Sequence, residues 1–222
     1  MQVKKLAGPI RIEPRWPGVL AVLLVLLLVE TLPERISLFP AWVPYIFVVA
    51  MIVPMVGAVL TAGKGWWERL ERTITVIFFL AVEAATLSNL ANLINAILRR
   101  PAELSGIQLL ASGLAVWVSN VLAFSLLYWQ IDRGGPGSRE HQERVRPDWL
   151  FPQTGAVEDA PLDWRPTFMD YLFLAFTTAT AFSPTDALPL TPRAKLLMML
   201  ESLVSLATIA LVAARAINIL GS

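Results

Sequence analysis

The chain has no cysteine and a single histidine, His141. Without cysteine there are no disulfides, no thiolate metal sites and no cysteine nucleophile. A zinc site or a Ser-His-Asp triad would have to use His141, which sits in a charged loop and reads as a solvated side chain. No H-E-x-x-H, no G-x-S-x-G and no paired-carboxylate arrangement occurs. The stretch "AGKGWWERL" (62–70) lacks the spaced glycines of a phosphate loop. The expectation is a protein that is not an enzyme and carries no cofactor and no metal. Charge of one sign is also missing: the formal net charge is +1. No tract combines basic and aromatic residues, so nucleic acid is not an expected partner. After the basic N-terminus (Lys4, Lys5, Arg11, Arg15), the apolar run lacks a small-x-small cleavage site. That run is expected to stay as a first span.

Apolar residues are abundant. Of 222 residues, 56% are hydrophobic, and the mean hydropathy is +0.61, too apolar for an ordinary soluble domain. A membrane span needs about 20 mostly apolar residues. Four stretches meet this: about 17–36, 41–62, 73–98 and 105–131. Residues 132–166 are rich in proline, glycine and charge and read as a polar, aqueous loop. Residues 168–182 have a helical pattern but are short; at ~1.5 Å per residue they fall below a bilayer core. A last span covers about 193–220, with Pro192 near its start. The expected fold is an all-α membrane protein with four clear transmembrane helices, a short segment and a final transmembrane helix. Its parts are an N-terminal segment 1–16, a four-span bundle 17–131, the polar loop 132–166 and a C-terminal region 167–222.

Six of the eight tryptophans (Trp16, Trp42, Trp66, Trp67, Trp129, Trp164) fall at or just beyond span ends, as in an interfacial aromatic belt. The lysines and arginines place the N-terminus and the 132–166 loop in the cytoplasm. The expected location is the plasma or inner membrane, multi-pass, with the lipid bilayer as a partner.

The final helix carries Glu201, Ser205, Thr208 and Arg215 at i, i+4, i+7 and i+14. At ~100° per residue they share one face within about 80°. An ionisable residue inside a span usually faces protein or water, so the stripe lines either an aqueous path or a helix–helix contact. The third span holds Glu83, Asn89, Asn92 and Asn95, spread over several sides, which suits hydrogen-bonded contacts with several neighbours. In the fourth span Ser105, Ser112 and Ser119 run beside Gly106, Gly113 and Asn120, two small-residue stripes that let another helix come close.

Residues 170–220 resemble the pore module of the potassium-channel superfamily. "DYLFLAFTTAT" looks like its pore helix, and "TDALPLTPR" reproduces Asp-x-x-Pro-x-Thr at Asp186, Pro189 and Thr191. Bacterial multi-pass membrane proteins with a pore-loop-like C-terminal region share this layout. The resemblance implies an inner helix from Arg193 and an outer helix at 105–131. It also implies a homo-oligomer, a tetramer by analogy, and monovalent ions as cargo. Thr180, Ser183, Pro184, Thr185 and Asp186 would form the loop; Glu201, Ser205 and Thr208 would line the path. The filter positions depart from the family. Ser183 and Thr185 replace both glycines, and Pro184 stands in place of tyrosine. A potassium filter aligns backbone carbonyls in conformations that glycine reaches cheaply. Pro184 fixes its own φ and restricts Ser183, so potassium selectivity is not carried over. In the family the filter faces outside, whereas four preceding spans bring the chain to this loop from the cytoplasm. The module is inverted, or 168–190 crosses completely, or the charge reading is reversed. The leading function is channel-like and ion-conducting without a potassium filter. The alternative is a non-conducting scaffold or accessory subunit that keeps the fold.

Overall fold

The structure, a computed structural model, describes residues 13–30, 65–99, 106–140, 145–154, 164–180 and 187–220, with scattered helical positions among 46–57. Helix α1 (Trp16–Glu30) starts on Trp16-Pro17, where the missing proline N–H costs nothing. Ala21, Val22, Val25 and Leu26 are buried, and Leu20, Leu23, Leu24 and Leu27 are exposed. A helix apolar on all sides suits an enclosure by protein or by hydrocarbon.

Helix α2 (Gly65–Arg99) is 35 residues long. Its buried face repeats every three or four residues through Glu71, Thr75, Phe78, Phe79, Val82 and Glu83. Helix α3 (Gly106–Ile131) is the centre of the molecule. Every residue from 119 to 130 is buried, because α1 and α2 pack on it as well as two helices from later in the chain. It ends in a 3-10 turn at Asp132–Gly134. Arg133, Gly134 and Gly135 there have φ of 52°, 80° and 93°, a left-handed run that two glycines adopt without a Cβ penalty.

A short helix α4 (Pro136–Glu140) follows. Strand β1 (Trp149–Leu150) then pairs antiparallel with β2 (Leu188–Pro189), Trp149 opposite Pro189 and Leu150 opposite Leu188. Between them lies α5 (Phe168–Thr180), 13 residues long. Thr167 and Asp170 start it as a capping box, with the Thr167 N–H donating to Asp170 Oδ2 at 2.7 Å. Helix α6 (Pro192–Leu220) starts on Thr191. The Thr191 hydroxyl accepts from the Ala194 N–H at 3.3 Å, an N-cap, and Pro192 takes the first helical position.

Six chain segments meet at one end of the bundle. Arg15, just before α1, pairs with Glu71 in the second turn of α2 at 2.7 Å. Gln130 near the end of α3 donates to the same Glu71 at 3.0 Å. Tyr171 in the first turn of α5 donates to Asp132 Oδ2 at 2.5 Å. Arg193 in the first turn of α6 pairs with Asp148, whose own N–H donates to Asp132 Oδ1 at 2.7 Å. Helices α1, α2, α5 and α6 therefore all start at the face where α3 ends. From there α5 and α6 run side by side; ten residues into each, Ser202 Oγ donates to the Thr178 carbonyl at 3.2 Å. By Leu188 the chain is back at the starting face, held by β1 and by a Leu190 N–H to Asp148 O bond of 2.8 Å. Helix α5 leaves that face and the chain returns to it.

Most of the described chain is helical. Among the described residues two helices are long and apolar enough to cross a membrane, Leu110–Gly134 and Pro192–Ala214, and Trp16–Leu28 is a shorter apolar helix. The second expected span, 41–62, lies mostly outside the described residues. Parts of the polar stretch 132–166 are packed, not solvated: Asp132, Arg139, Asp148, Trp149 and Phe151 are all buried.

Candidate functional site

The polar stripe of α6 is turned inward. Glu201, Ser205 and Thr208 are buried, and the face they share lies on α3. Tyr128 donates its hydroxyl to Glu201 Oε2 at 2.6 Å. Asn120, two turns earlier on α3, donates to Ser205 Oγ at 2.9 Å. Thr208 bonds back to the Val204 carbonyl at 2.8 Å, which satisfies its hydroxyl without a neighbour. Glu83 on α2 is also buried. Glu71 meets Gln130, and Phe79 packs on Phe124 with ring centroids 4.9 Å apart, so α2 runs antiparallel to α3 and Glu83, one turn beyond Phe79, comes level with Asn120. Glu201 Oε1, both Glu83 carboxyl oxygens and Asn120 Oδ1 are buried with no hydrogen-bond partner. Glu83 thus lies level with the part of α3 whose Asn120 bonds the α6 stripe. The side chains of Arg215, Asn89, Asn92 and Asn95 lie outside the described residues.

Of the loop residues, Thr180 is described and is half-buried. Its hydroxyl donates to the Phe176 carbonyl at 2.9 Å. Thr177 and Thr178 bond back in the same way, to Phe173 O and Leu174 O at 2.8 Å each, so the threonine run of α5 meets its polar needs within its own helix. Ser183, Pro184, Thr185 and Asp186 lie outside the described residues. Pro189 is in β2. The Thr191 hydroxyl donates to Asp148 Oδ1 at 2.6 Å.

A second polar cluster closes the face from which α5 leaves. Asp132 is fully buried and accepts from Tyr171 and from the Asp148 N–H. Asp148 accepts from Thr191 and from Arg193 Nε, the latter at 2.7 Å. Arg139 donates to the carbonyls of Trp129 and Asp132 at 2.9 and 3.0 Å. It pairs with Glu13 at 3.1 Å and lies 5.3 Å from the Tyr171 ring centroid, within cation–π range. Burial holds the Tyr171 phenol well above its ordinary range against the pull of Arg139, so it remains a donor.

No family model, curated protein or solved structure matches this chain. The two clusters differ in what they can do. The face cluster has its carboxylates saturated by donors, and such an arrangement holds elements together. The interior cluster keeps free acceptor oxygens. Among the described residues no group of three or more His, Asp or Glu side chains is placed to hold a metal ion.

Tyr128, Asp132 and Asp148 did not stand out in the sequence. The signal available was "YWQID" at the end of an apolar run, and it reads equally well as an interfacial belt. Trp129 departs from that belt. It is fully buried, and its indole N–H donates to Glu13 Oε1 at 2.5 Å.

Proposed function

We propose that the chain is a multi-pass membrane protein with a channel-like C-terminal module that handles small monovalent cations without a potassium-selective filter. Helix α3 takes the outer position, α5 the re-entrant pore-helix position and α6 the inner position. One observation carries this reading: α5 leaves a face, packs on α3 and α6, and the chain returns to that face before α6 begins. At ~1.5 Å per residue α5 is about 20 Å long, short of a ~30 Å hydrocarbon core. Non-crossing backbone at that depth is tolerated only when protein or a water-filled cavity surrounds it. One such segment per chain cannot enclose a path, so we infer a closed, symmetric homo-oligomer. Its contacts would use the exposed apolar residues of α5 and α6, such as Phe173, Phe176, Met199 and Leu203.

The face shared by the N-terminus and the α5 mouth carries Arg15, Arg69, Arg72, Arg139, Arg165 and Arg193. The positive-inside rule makes it cytoplasmic. The pore-like loop would then enter from the cytoplasm, inverted relative to the potassium-channel layout. Single cysteines in this cysteine-free chain test the orientation. Gln153→Cys is expected to resist an impermeant thiol reagent in intact cells, and Ser222→Cys to react; the reverse pattern overturns the assignment.

Conduction is tested with purified protein in liposomes. Monovalent-cation flux is expected in wild type and is expected to fall in Asp186→Asn and Glu201→Gln. Absence of flux, or flux indifferent to both changes, removes the channel reading. The second reading, a non-conducting scaffold or accessory subunit, is favoured by the polar stripe of α6 facing α3 of its own chain. It predicts a folded oligomer with no flux.

A further inference from the structure

Among the described residues the interior cluster contains two carboxyl groups and no cationic side chain. Glu201 is fully buried and Glu83 is 7% exposed. Tyr128 occupies Glu201 Oε2. The remaining three carboxyl oxygens, Glu201 Oε1 and both of Glu83, have no hydrogen-bond partner. Among the described residues no lysine, arginine or histidine pairs with either carboxyl. Among the described residues the titratable groups around Glu201 are Tyr128, bonded to it from α3, and Glu83 on α2. Helix α5, also packed on α6, meets it at Ser202 through the Thr178 carbonyl, and the acidic residue of α5, Asp170, lies in its first turn at the far end.

A carboxylate buried without a counter-charge neutralises instead of remaining ionised, and a second buried carboxyl on the neighbouring helix adds to the cost of ionising either. Neutralisation needs a cation at one of the free oxygens. An alkali or alkaline-earth ion requires a shell of several oxygen ligands. A proton needs only one. We propose that Glu83 and Glu201 form a proton-binding pair inside the helix bundle, loaded at neutral pH, with Tyr128 as the positioning residue that fixes the Glu201 carboxyl. The proton comes from bulk water, forms an O–H bond on one carboxylate and returns to water when that bond breaks. The proposal rests on the membrane reading of α3 and α6 and names the proton as the cation their seam takes.

The test is infrared difference spectroscopy of the full chain reconstituted in lipid and titrated with pH. A carbonyl-stretch band of protonated carboxylic acid is expected in wild type at neutral pH. Glu83→Gln and Glu201→Gln should each remove part of it, and the double variant the remainder. Tyr128→Phe keeps both carboxyls and the packing volume; it should move the band without removing it, a shift that a purely structural role would not produce. No band at neutral pH, or a band unchanged in both glutamine variants, overturns the proposal. Loss of the band on adding sodium or potassium at fixed pH also overturns it, because the site would then be a metal-cation site. Flux through the same liposomes is read separately. A band without flux leaves the proton pair standing and removes the channel reading. Flux without a band does the opposite.

Discussion

Asp132 is where the face cluster is most exposed to a single change. Its carboxylate is fully buried and serves two donors on different elements, the Tyr171 hydroxyl at 2.5 Å and the Asp148 N–H at 2.7 Å. Asp132→Ala leaves both donors buried without an acceptor. Each orphaned group costs about 1–3 kcal/mol, so the expected loss is about 2–6 kcal/mol, a large share of a typical ~5–15 kcal/mol. Tyr171→Phe removes one of the two bonds and should cost about 1–3 kcal/mol. The two changes share a partner, so the double variant should be milder than their sum by roughly 0.5–3 kcal/mol. Denaturant unfolding in detergent, followed by tryptophan fluorescence, measures this. Trp149 is a local reporter: it is fully buried on β1 and packs on Tyr128 with ring centroids 4.7 Å apart. An Asp132→Ala variant that unfolds at the wild-type midpoint, or a strictly additive cycle with Tyr171→Phe, refutes the reasoning.

Two other changes probe the helix contacts. A Cβ on Gly113 would lie 2.2 Å from Val212 Cγ2, and a β-branched side chain has little χ1 freedom to yield. Gly113→Ala should therefore cost about 1–3 kcal/mol in the same unfolding assay, and Val212→Ala in the same chain should recover most of it. Arg15 and Glu71 form a buried ion pair at 2.7 Å; Arg15→Ala takes the ion-pair partner from a carboxylate that Gln130 still reaches and should cost up to about 3–5 kcal/mol, with Glu71→Gln in the Arg15→Ala background restoring part of the midpoint.

Where a pattern is local, the sequence shows it. The 3.6-residue period alone puts Glu201, Ser205 and Thr208 on one side of α6, and that side is buried. The small-residue stripe of α3 meets α6 at Gly113 and Val212. Thr191-Pro192 announces the start of α6. Glu83 is harder. The helical period spreads Glu83, Asn89, Asn92 and Asn95 over several sides of α2, and only tertiary packing brings Glu83 level with Asn120. The face cluster is hidden for the same reason. Arg139 meets Glu13, 126 residues away in sequence, and Arg193 meets Asp148, 45 residues away. A stretch with proline, glycine and alternating charge looks solvated unless those partners are known. Tyr128 and Trp129 were masked differently: aromatic residues near a span end suit an interface, and burial on every side comes from α1, α2, α5 and α6 closing around α3.

The charge buried at that face has a physical reason if α3 and α6 span a bilayer. Within lipid, helices gain no hydrophobic free energy by associating, because the tails are as apolar as the side chains. A 13-residue helix such as α5 is too short to be anchored in both headgroup layers of a ~30 Å hydrocarbon core. What can hold it is polar bonding at its entrance, where competing water is excluded. Tyr171 to Asp132, the Asp148 N–H to Asp132, and Thr191 and Arg193 to Asp148 form one connected chain from the start of α5, through the end of α3, to the start of α6. The strand pair Trp149–Leu150 with Leu188–Pro189 fixes both ends of the α5 excursion to that chain. A stretch that reads as an aqueous linker thus works as the anchor of α5. Its buried charges set where α5 begins, while the unpartnered carboxyls on α2 and α6 are left to the interior.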